Sequence, residues 1–445
     1  MKFDILKEAE KYLLRYIPPS DDSLTAKQKF ARACALMDLL DNPQNKMSVI
    51  HVAGTSGKGS TAQIIAQILT GHGFKTGLTV SPHILDFRER TQINCMNVSE
   101  NTYIHYLEEI VPSILEISNS QYGKPTFFEI AMAHAYFSFC REKVDYAIVE
   151  TGMGGRFDAS NTATASDKLC VLTKIGFDHQ EFLGKTIFKI ATEKAEIIHK
   201  SNLTLSTVQS KEAEKAIKEV AMQKKAKVQF INLPENIFLT KTKTEFHFSY
   251  KNLQINNLKT ALHGSYQAEN ISLAVAAVYE LGERDGFSVD EDVVRQVVES
   301  LEIPGRFQIQ SLQGKTIVID GAHNVQKMEA FISSLIKIFP NTHFDFLVSF
   351  KNGKDIASML KIITPLADNM YITEFAVDDQ GMKLKPISTQ GITHTLKSLG
   401  YDDYIIDKNA RSALDSALLF SSNILVITGS MYLVSELYDK IFYKV

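Results

Sequence analysis

Residues 47–61 read MSVIHVAGTSGKGST. Residues 49–53 form a short apolar run that predicts a buried strand, and the apolar spacing of residues 61–70 predicts a helix. Between them, residues 54–60 hold three glycines and one lysine. This arrangement is typical of phosphate binding, because backbone N–H groups, the helix N-terminus and the ammonium all attract the anion. The alternative is a glycine turn that joins a strand to a helix and binds no ligand.

The loop departs from the Walker A pattern GxxxxGK[ST] at two positions. That pattern has glycine where Val52 stands, and it has serine or threonine directly after the lysine, where Gly59 precedes Ser60. The lysine and its flanking glycines are in place. We therefore predict that phosphate is bound by Gly54, Thr55, Ser56, Gly57, Lys58, Gly59 and Ser60.

The composition is that of a globular protein with several domains. The chain has 445 residues, of which 44% are hydrophobic and 22% charged, and this length predicts two or three domains. A formal net charge of -3 and the absence of a polybasic tail argue against nucleic acid and membrane partners. No apolar run approaches the ~18 residues of a membrane span. The four cysteines lack metal-type spacing and residues 1–16 lack a signal-type apolar core, so we expect reduced thiols and a cytoplasmic location.

The order of predicted elements indicates an α/β protein. Residues 1–46 predict helices, and residues 47–200 alternate strands and helices as in a largely parallel sheet. Residues 236–262 predict a hairpin. The sequence Ile-Pro-Gly at 303–305 interrupts the pattern, and we place a domain boundary there, before a smaller α/β domain of about 140 residues.

Individual elements follow from periodicity and breakers. Strands are predicted at residues 49–53, 76–80, 146–150, 169–175, 245–250, 253–258, 316–320, 344–349, 369–373 and 424–428. A strand, a helix and a strand are predicted within residues 203–231. Helices are predicted at residues 26–40, 61–70, 100–117, 127–141, 186–199, 266–281 and 290–301.

Three polar residues stand where predicted strands end. Ser81 opens SPHILDFRER after the second strand, Glu150 closes the apolar run YAIVE, and His179 lies in KIGFDHQEFLG after another strand. Strand carboxyl ends in such a sheet face the ligand crevice, and a buried carboxylate needs a metal or another cation nearby. The alternatives are a Ser-Pro turn, a salt-bridged glutamate and a structural histidine.

Several segments, taken in order over about residues 30 to 440, resemble the folylpolyglutamate synthase and dihydrofolate synthase family of the Mur ligase superfamily. They are GTSGKGS at 54–60, SPH at 81–83, TFFE at 126–129, ETGMGGRFDASN at 150–161, DHQEFLG at 178–184, EKA at 193–195, HGSYQ at 263–267 with Asn270, PGRF at 304–307, DGAHN at 320–324 and GSMYLV at 429–434. Two positions differ from the family: Ser56 stands where asparagine is usual, and Ser160 where threonine is usual.

The resemblance implies an N-terminal Mur-ligase-type P-loop ATPase domain over residues 1–302, a linker at 303–307 and a Rossmann-like α/β domain over 308–445. It also implies an enzyme of folate biosynthesis and one-carbon metabolism. We expect a monomer, although the sequence does not fix the oligomeric state. The expected reaction adds L-glutamate to dihydropteroate or to the glutamyl tail of a reduced folate through an acyl phosphate, with release of ADP and phosphate. The sequence leaves open which of these acids, or both, is accepted.

The resemblance also assigns roles to residues. ATP would be bound by residues 54–60 and by Asn270, Arg306 and Asp320. Two Mg²⁺ ions would be held by Ser81, Glu150, His179 and Lys194, the last as a carbamate. The pterin-bearing substrate would lie against Thr126, Phe127, Phe128, Glu129, Phe157, Asp158 and Ala159. The residues expected to act in catalysis are Lys58, Glu150, His179, Lys194 and His323.

Simpler interpretations stay open for two of these assignments. Phe127 and Phe128 could instead be a core aromatic pair that opens a helix. Lys194 could instead lie on the helix surface, paired with Glu193 or Glu196. An unmodified ammonium near two magnesium ions would be repelled, so we expect Lys194 to lose its proton or to carry the carbamate.

Two other functions are also considered. One is a different Mur-type ligase that acts on a cell-wall nucleotide or a peptide, and the other is a nucleotide-binding homologue with little turnover. The matches at 127–129 and 157–159 favour a pterin substrate. The presence of Lys58, Glu150 and His179 favours turnover.

Overall fold

The computed structural model describes residues 2–18, 24–376, 385–421 and 424–443. These residues form an eight-stranded, a three-stranded and a six-stranded sheet with helices packed on them. The eight-stranded and three-stranded sheets belong to an N-terminal unit. The six-stranded sheet belongs to a C-terminal unit, and its first strand begins at Gln308. The α/β class with two packed units is confirmed. The exact boundary at residues 303–307 remains a prediction.

The strands are numbered in chain order: β1 Ser48–Ala53, β2 Thr76–Thr79, β3 Gln92–Ile93, β4 Met96–Asn97, β5 Tyr146–Glu150, β6 Leu169–Leu172, β7 Leu203–Ser206, β8 Lys227–Phe230, β9 Glu235–Leu239, β10 Thr244–Tyr250, β11 Leu253–Thr260, β12 Gln308–Leu312, β13 Lys315–Ile319, β14 Phe344–Val348, β15 Ala367–Glu374, β16 Tyr404–Asn409 and β17 Ile424–Thr428.

The helices are numbered in the same way: α1 Leu6–Leu14, α2 Ala26–Leu39, α3 Lys58–Gly71, α4 Glu100–Ser118, α5 Phe127–Arg141, α6 Gln180–Leu183, α7 Ile187–Ala195, α8 Lys211–Gln223, α9 Ser265–Asp285, α10 Glu291–Glu299, α11 Val325–Ile338, α12 Ile356–Ile363, α13 Thr389–Ser398, α14 Ala410–Phe420 and α15 Met431–Phe442. Among the described residues, no helix is long and apolar enough to cross a membrane.

The eight-stranded sheet has the order β4-β3-β2-β5-β1-β6-β7-β8. Six neighbouring strands of this sheet pair in parallel: β2, β5, β1, β6, β7 and β8. Strands β3 and β4 add an antiparallel edge next to β2, which the sequence analysis did not predict. Strand β1 lies between β5 and β6, and Val52 is in register with Glu150. The loops that follow β1, β5 and β6 therefore meet at one edge of the sheet.

In the core of the N-terminal unit, helices α3 and α9 pack against this sheet. The apolar stripe predicted for the helix after residues 54–60 is fully buried, as are the three alanines of α9 that allow close packing: Ile64, Ile65, Ile68, Leu69, Ala274, Ala276 and Ala277. Helix α3 begins at Lys58, earlier than the predicted residue 61, because the polar residues of its first turn carry no periodic apolar signal.

Several predicted ends differ from the structure. Strand β6 ends at Leu172 rather than at residue 175, because the chain then turns toward β1, where the Thr173 N–H donates to the Ala53 carbonyl at 2.8 Å. Helix α7 ends at Ala195 rather than at residue 199. The predicted hairpin is confirmed as β10 and β11, with Lys251 at φ 51° in the turn.

The six-stranded sheet has the order β12-β13-β17-β14-β15-β16. Four of its strands were predicted, and the two at its edges, β12 and β16, were not. Strand β12 pairs antiparallel with β13 across a turn at Gln313 and Gly314, whose φ angles are 50° and 77°. Edge strands are covered on one side only, so they lack the strong apolar pattern by which the central strands were recognised.

Candidate active site

A cavity of about 820 Å³ lies at the carboxyl edge of the eight-stranded sheet, between the N-terminal unit and the C-terminal unit. Its walls come from residues 54–60 (the P-loop), the loops after β2, β5 and β6, the first turns of α5, α9 and α11, and the segment before β12. It is lined by every predicted site residue: Gly54, Thr55, Ser56, Gly57, Lys58, Gly59, Ser60, Ser81, Thr126, Phe127, Phe128, Glu129, Glu150, Phe157, Asp158, Ala159, His179, Lys194, Asn270, Arg306, Asp320 and His323.

Two glycines of the P-loop lie where a side chain would collide with a neighbouring residue. Gly57 has φ 89°, in the left-handed region, and a Cβ there would lie 2.3 Å from Oδ1 of Asn270. A Cβ at Gly54 would lie 1.9 Å from Oγ1 of Thr173. The loop is therefore held against α9 on one side and against the end of β6 on the other.

The backbone amides of the P-loop fall into two groups. Those of Thr55 and Ser56 donate to the Lys174 carbonyl at 2.9 and 3.1 Å, so the protein already uses them. Helix α3 begins at Lys58, and the first N–H groups of a helix have no acceptor within it. The amides of residues 58–60 are thus the ones that the loop offers to a phosphate.

Glu150 ends β5 next to the first turn of α3. Its Oε2 accepts from the Ser81 backbone N–H at 2.8 Å, and its Oε1 lies 3.9 Å from Nζ of Lys58. Burial raises the pKa of Glu150, and the charge of Lys58 opposes that shift. A Cβ at Gly59 would lie 3.2 Å from Oε2, so the glycine that departs from Walker A makes room for this carboxylate.

His179 and Asp178 stand in the loop after β6. His179 caps α6 with φ 50°, and burial lowers its pKa to about 4, which leaves a neutral imidazole at pH 7. Asp178 is also buried, which disfavours its charge, but His179 and Lys354 outweigh this and lower its pKa. Its oxygens accept from Lys354 Nζ at 2.5 Å and from Asn324 Nδ2 at 3.0 Å, both in the C-terminal unit.

Lys194 lies on the buried face of α7. Its Nζ donates to the Gly54 carbonyl at 2.8 Å, and burial together with the charge of Lys58 lowers its pKa to about 7. The alternative of a surface lysine is wrong: the side chain is 4% exposed, and Glu193 and Glu196 pair with a neighbouring arginine instead. The structure thus places a readily deprotonated amine beneath the P-loop.

The two phenylalanines that open α5 have different surroundings. Phe127 is buried in a core cluster, as the simpler interpretation expected, and the guanidinium of Arg90 lies 5.3 Å from its ring centre. Phe128 is partly exposed to the cavity, where a Cβ at Gly152 would lie 2.5 Å from its ring. Phe128, with Phe157 from the opposite loop, therefore provides flat apolar surface in the wall.

The two carboxylates of this wall are engaged by protein donors. Glu129 accepts from Arg32 Nε and Nη2 at 2.7 and 2.9 Å, in a pair whose side chains are at most 5% exposed, and it completes a capping box with Thr126. Asp158 accepts from the backbone N–H groups of Met153 and Ser160 at 2.8 and 3.0 Å. Both acids line the cavity, and their oxygens accept hydrogen bonds that hold the surrounding segments of the wall in place.

The opposite wall joins the two units. Asp320 is buried and accepts from the Tyr266 hydroxyl at 3.1 Å and from the Phe307 N–H at 2.9 Å. Burial raises the pKa of Asp320, while the nearby charge of Arg306 lowers it. The charge of Arg306 also opposes the raised pKa of the buried Glu150 in the N-terminal unit.

His323 follows Asp320 at the carboxyl end of β13. Its Nδ1 lies 2.7 Å from the Gly321 carbonyl, and its Nε2 lies 3.0 Å from Nζ of Lys327. Burial and the charge of Lys327 lower the pKa of His323 well below its usual value. The ring is therefore neutral and held from both sides.

Comparison with known proteins shows to which family the chain belongs. The Mur ligase middle domain model matches residues 52–278, and the model for the dihydrofolate synthetase C-terminal domain matches residues 305–440. The dihydrofolate synthase/folylpolyglutamate synthase of Mycobacterium tuberculosis is 30% identical over 440 residues, which cover 92% of this chain and 88% of that protein. The chain belongs to the folylpolyglutamate synthase and dihydrofolate synthase family.

Other members of the family agree in sequence and in structure. The Bacillus subtilis dihydrofolate synthase/folylpolyglutamate synthase is 29% identical over 415 residues, 92% of this chain and 94% of that protein. A structure of the M. tuberculosis folylpolyglutamate synthase complexed with ADP superimposes with a TM-score of 0.88 at 26% identity, covering 99% of this chain and 98% of that one. An FPGS–AMPPCP–folate complex gives 0.84 at 26% identity, with 99% of each chain covered.

The cavity is also lined by residues that the sequence analysis did not predict as site residues. They include Asp178, Gln326, Lys327 and Lys354. Asp178 and Lys354 follow strands β6 and β14, so the strand-end rule that drew attention to Ser81 could have found both. Gln326 and Lys327 lie on the first turn of α11, and no local pattern distinguishes them from surface residues.

Proposed function

We propose that this chain is an ATP-dependent ligase that adds L-glutamate to dihydropteroate or to the glutamyl tail of a reduced folate. The observation that carries the proposal is the cavity, in which a lysine-bearing P-loop, a buried glutamate and an aromatic wall meet. Relatives of this family with known structures include complexes with ADP and with AMPPCP and folate.

The reaction needs an activated acyl group, because a carboxylate and an amine do not condense at neutral pH. The acid oxygen attacks the γ-phosphorus of ATP, the bond to the bridging oxygen breaks, and ADP leaves. The amine of glutamate then attacks the acyl carbon, loses a proton and expels phosphate. Lys58, Arg306 and the N-terminus of α3 would balance the charge that develops on the transferring phosphoryl group.

Two Mg²⁺ ions belong to this proposal, and the donor chemistry fits them. Glu150 supplies a buried carboxylate, Ser81 an oxygen and His179 a neutral imidazole. Among the described residues, no three His, Cys, Asp or Glu side chains converge into a metal cluster, so phosphate oxygens and water would complete the coordination. When bound, the ions would neutralise charge on the ATP phosphates.

Lys194 is proposed to carry a carbamate. Its neutral amine would attack the carbon of CO₂ and release a proton, giving an anion with two oxygens. Support comes from its burial and from its pKa of about 7, because about half of the amine is then neutral at pH 7. Formation of the carbamate would break the hydrogen bond that Nζ of Lys194 now donates to the Gly54 carbonyl.

The remaining parts of the proposal concern organisation. Residues 1–302 would form the ATP-binding domain and residues 308–445 the ligase domain, joined by a linker at 303–307. We further propose that the enzyme is a monomer and that movement about the linker brings Asp320 and His323 to the nucleotide.

A product assay tests the function. Purified protein is incubated with ATP, Mg²⁺, glutamate and, in turn, dihydropteroate, tetrahydrofolate or a UDP-linked cell-wall precursor. We expect a product heavier by one glutamyl unit from one or both pterin acids, with ADP and phosphate formed only when acid and glutamate are both present. Release of AMP and pyrophosphate, or turnover of the cell-wall precursor alone, would refute the proposal.

A further inference from the structure

The first turn of α11 reaches from the C-terminal unit into the N-terminal unit. The side-chain amide of Gln326 lies between two loops there. Its Oε1 accepts from the Ser56 hydroxyl of the P-loop at 2.9 Å, and its Nε2 lies 3.4 Å from the Ile175 carbonyl in the loop after β6. One side chain of the C-terminal unit therefore contacts both loops that bear proposed phosphate and metal residues.

These two loops are already joined to each other. Thr55 exchanges hydrogen bonds with Gly176: the Thr55 hydroxyl donates to the Gly176 carbonyl, and the Gly176 N–H donates to Thr55 Oγ1, each at 3.1 Å. A displacement of either loop is thus passed to the other. Lys58 stands two residues after Ser56, and His179 stands three residues after Gly176.

The space that Gln326 occupies depends on Gly176. A Cβ at that position would lie 2.7 Å from three atoms of the Gln326 amide. The φ of Gly176 is not in the left-handed region, so the backbone there does not require glycine. Glycine is instead needed because the absence of a side chain at residue 176 leaves room for the Gln326 side-chain amide.

A second contact keeps the same turn in place. Asn324 caps α11 with its side chain, and its Nδ2 donates to Asp178 at 3.0 Å. Asp178 also binds Lys354, which follows β14 in the C-terminal unit. The position of the turn is therefore fixed independently of Gln326, and removal of the Gln326 amide alone should not detach α11 from the N-terminal unit.

We propose that Gln326 is a positioning residue that transmits the placement of the C-terminal unit to the P-loop. The hydrogen bond to Ser56 holds the loop so that Lys58 and the first amides of α3 face the γ-phosphate only when the two units are packed together. This inference rests on the proposed ligase function and assigns Gln326 to the assembly of the nucleotide site before phosphoryl transfer.

The test is a double-mutant cycle with Gln326→Ala and Ser56→Ala, read as kcat, KM for ATP and the Kd of AMPPCP by calorimetry. Each single variant should lose about 3- to 10-fold in kcat/KM for ATP, the range of one hydrogen bond between neutral groups. The double variant should lose about as much as the more impaired of the two single variants, and not the product of the two losses, because both changes remove the same hydrogen bond. Glu329→Ala, at an exposed position of the same helix, is the matched control and should behave as wild type.

An independent arm uses Gly176→Ala, which displaces the amide without changing Gln326. It should cost about as much as Gln326→Ala in the wild-type background and nothing further in the Gln326→Ala background. Multiplicative losses in either cycle, or a Gln326→Ala enzyme with wild-type constants, would overturn the inference. A wild type that forms no glutamylated product refutes the ligase proposal instead, and the AMPPCP cycle then still decides the role of Gln326.

Discussion

The buried amine of Lys194 should make the stability of the enzyme depend on pH in a defined way. In the folded state its pKa is about 7, against an ordinary value of 10.5. Between these two values the unfolded chain binds the proton and the folded chain does not, so stability rises with pH across that window. Below pH 7 the cost of burying the ammonium is complete, and above 10.5 it is absent.

The magnitude follows from the two pKa values. One pKa unit corresponds to about 1.4 kcal/mol, so burial of the protonated amine costs roughly 5 kcal/mol below pH 7. That cost falls to roughly 2 kcal/mol at pH 9. Lys194→Met keeps the length of the side chain and removes the titration, so the variant should be the more stable protein at pH 7. Its advantage should shrink by roughly 2 kcal/mol between pH 7 and pH 9.

Denaturant unfolding of both proteins in CO₂-free buffer at pH 7, 8 and 9 measures this difference. Lys189→Met, at an exposed position of the same helix, is the control and should follow wild type at every pH. Added bicarbonate should stabilise wild type and leave the methionine variant unchanged, because only wild type can form the carbamate. Parallel pH profiles for wild type and Lys194→Met would refute the depressed pKa, and an active methionine variant would refute the carbamate.

Three further outcomes are expected. Glu150→Gln preserves the shape of the side chain and should keep the fold, but it should lose most turnover, since the neutral amide oxygen is a much weaker magnesium ligand than the carboxylate; near-wild-type rates at limiting Mg²⁺ would exclude that role. Arg306→Lys keeps the charge but loses the planar fork, so the KM for ATP should rise, and an unchanged KM would remove Arg306 from the phosphate site. Arg32→Met leaves Glu129 buried without its partner, which should lower the free energy of unfolding by about 3–5 kcal/mol. Adding Glu129→Gln should restore much of that loss, as measured by denaturant unfolding; no recovery would show that the pair is not the cause.

Local signals were sufficient for most of the fold. The strand, glycine loop and helix at residues 47–71 lie next to one another in the chain, so periodicity and glycine spacing predicted them directly. The ends of β2, β5 and β6 were predicted as ligand-facing for the same reason, because parallel strands place their carboxyl ends at one edge. Edge strands β12 and β16 escaped prediction, since each pairs along one side only and lacks the continuous apolar run of a central strand.

The fate of individual side chains depended on distant partners. Glu129 was predicted to contact the substrate, and its partner Arg32 is 97 residues away in sequence. No pattern around either residue encodes the pairing, because the two residues lie on α2 and α5, which are brought together only by the tertiary structure. The same holds for Gln326, whose partner Ser56 is 270 residues away and in the other unit.

The sequence by itself determined the α/β class, the P-loop, the family and a large part of the cavity lining, because each of these is carried by short segments whose chemistry is local. It did not predict Asp178, Gln326, Lys327 or Lys354 as site residues. The tertiary structure alone decided which of the lining residues are free to act. It placed Lys194 under the P-loop with a pKa near 7, engaged Glu129 and Asp158 with protein donors, and set Gln326 between two loops of the other unit. Desolvation and hydrogen-bond partners govern these properties, and both arise only when segments far apart in the chain are packed together.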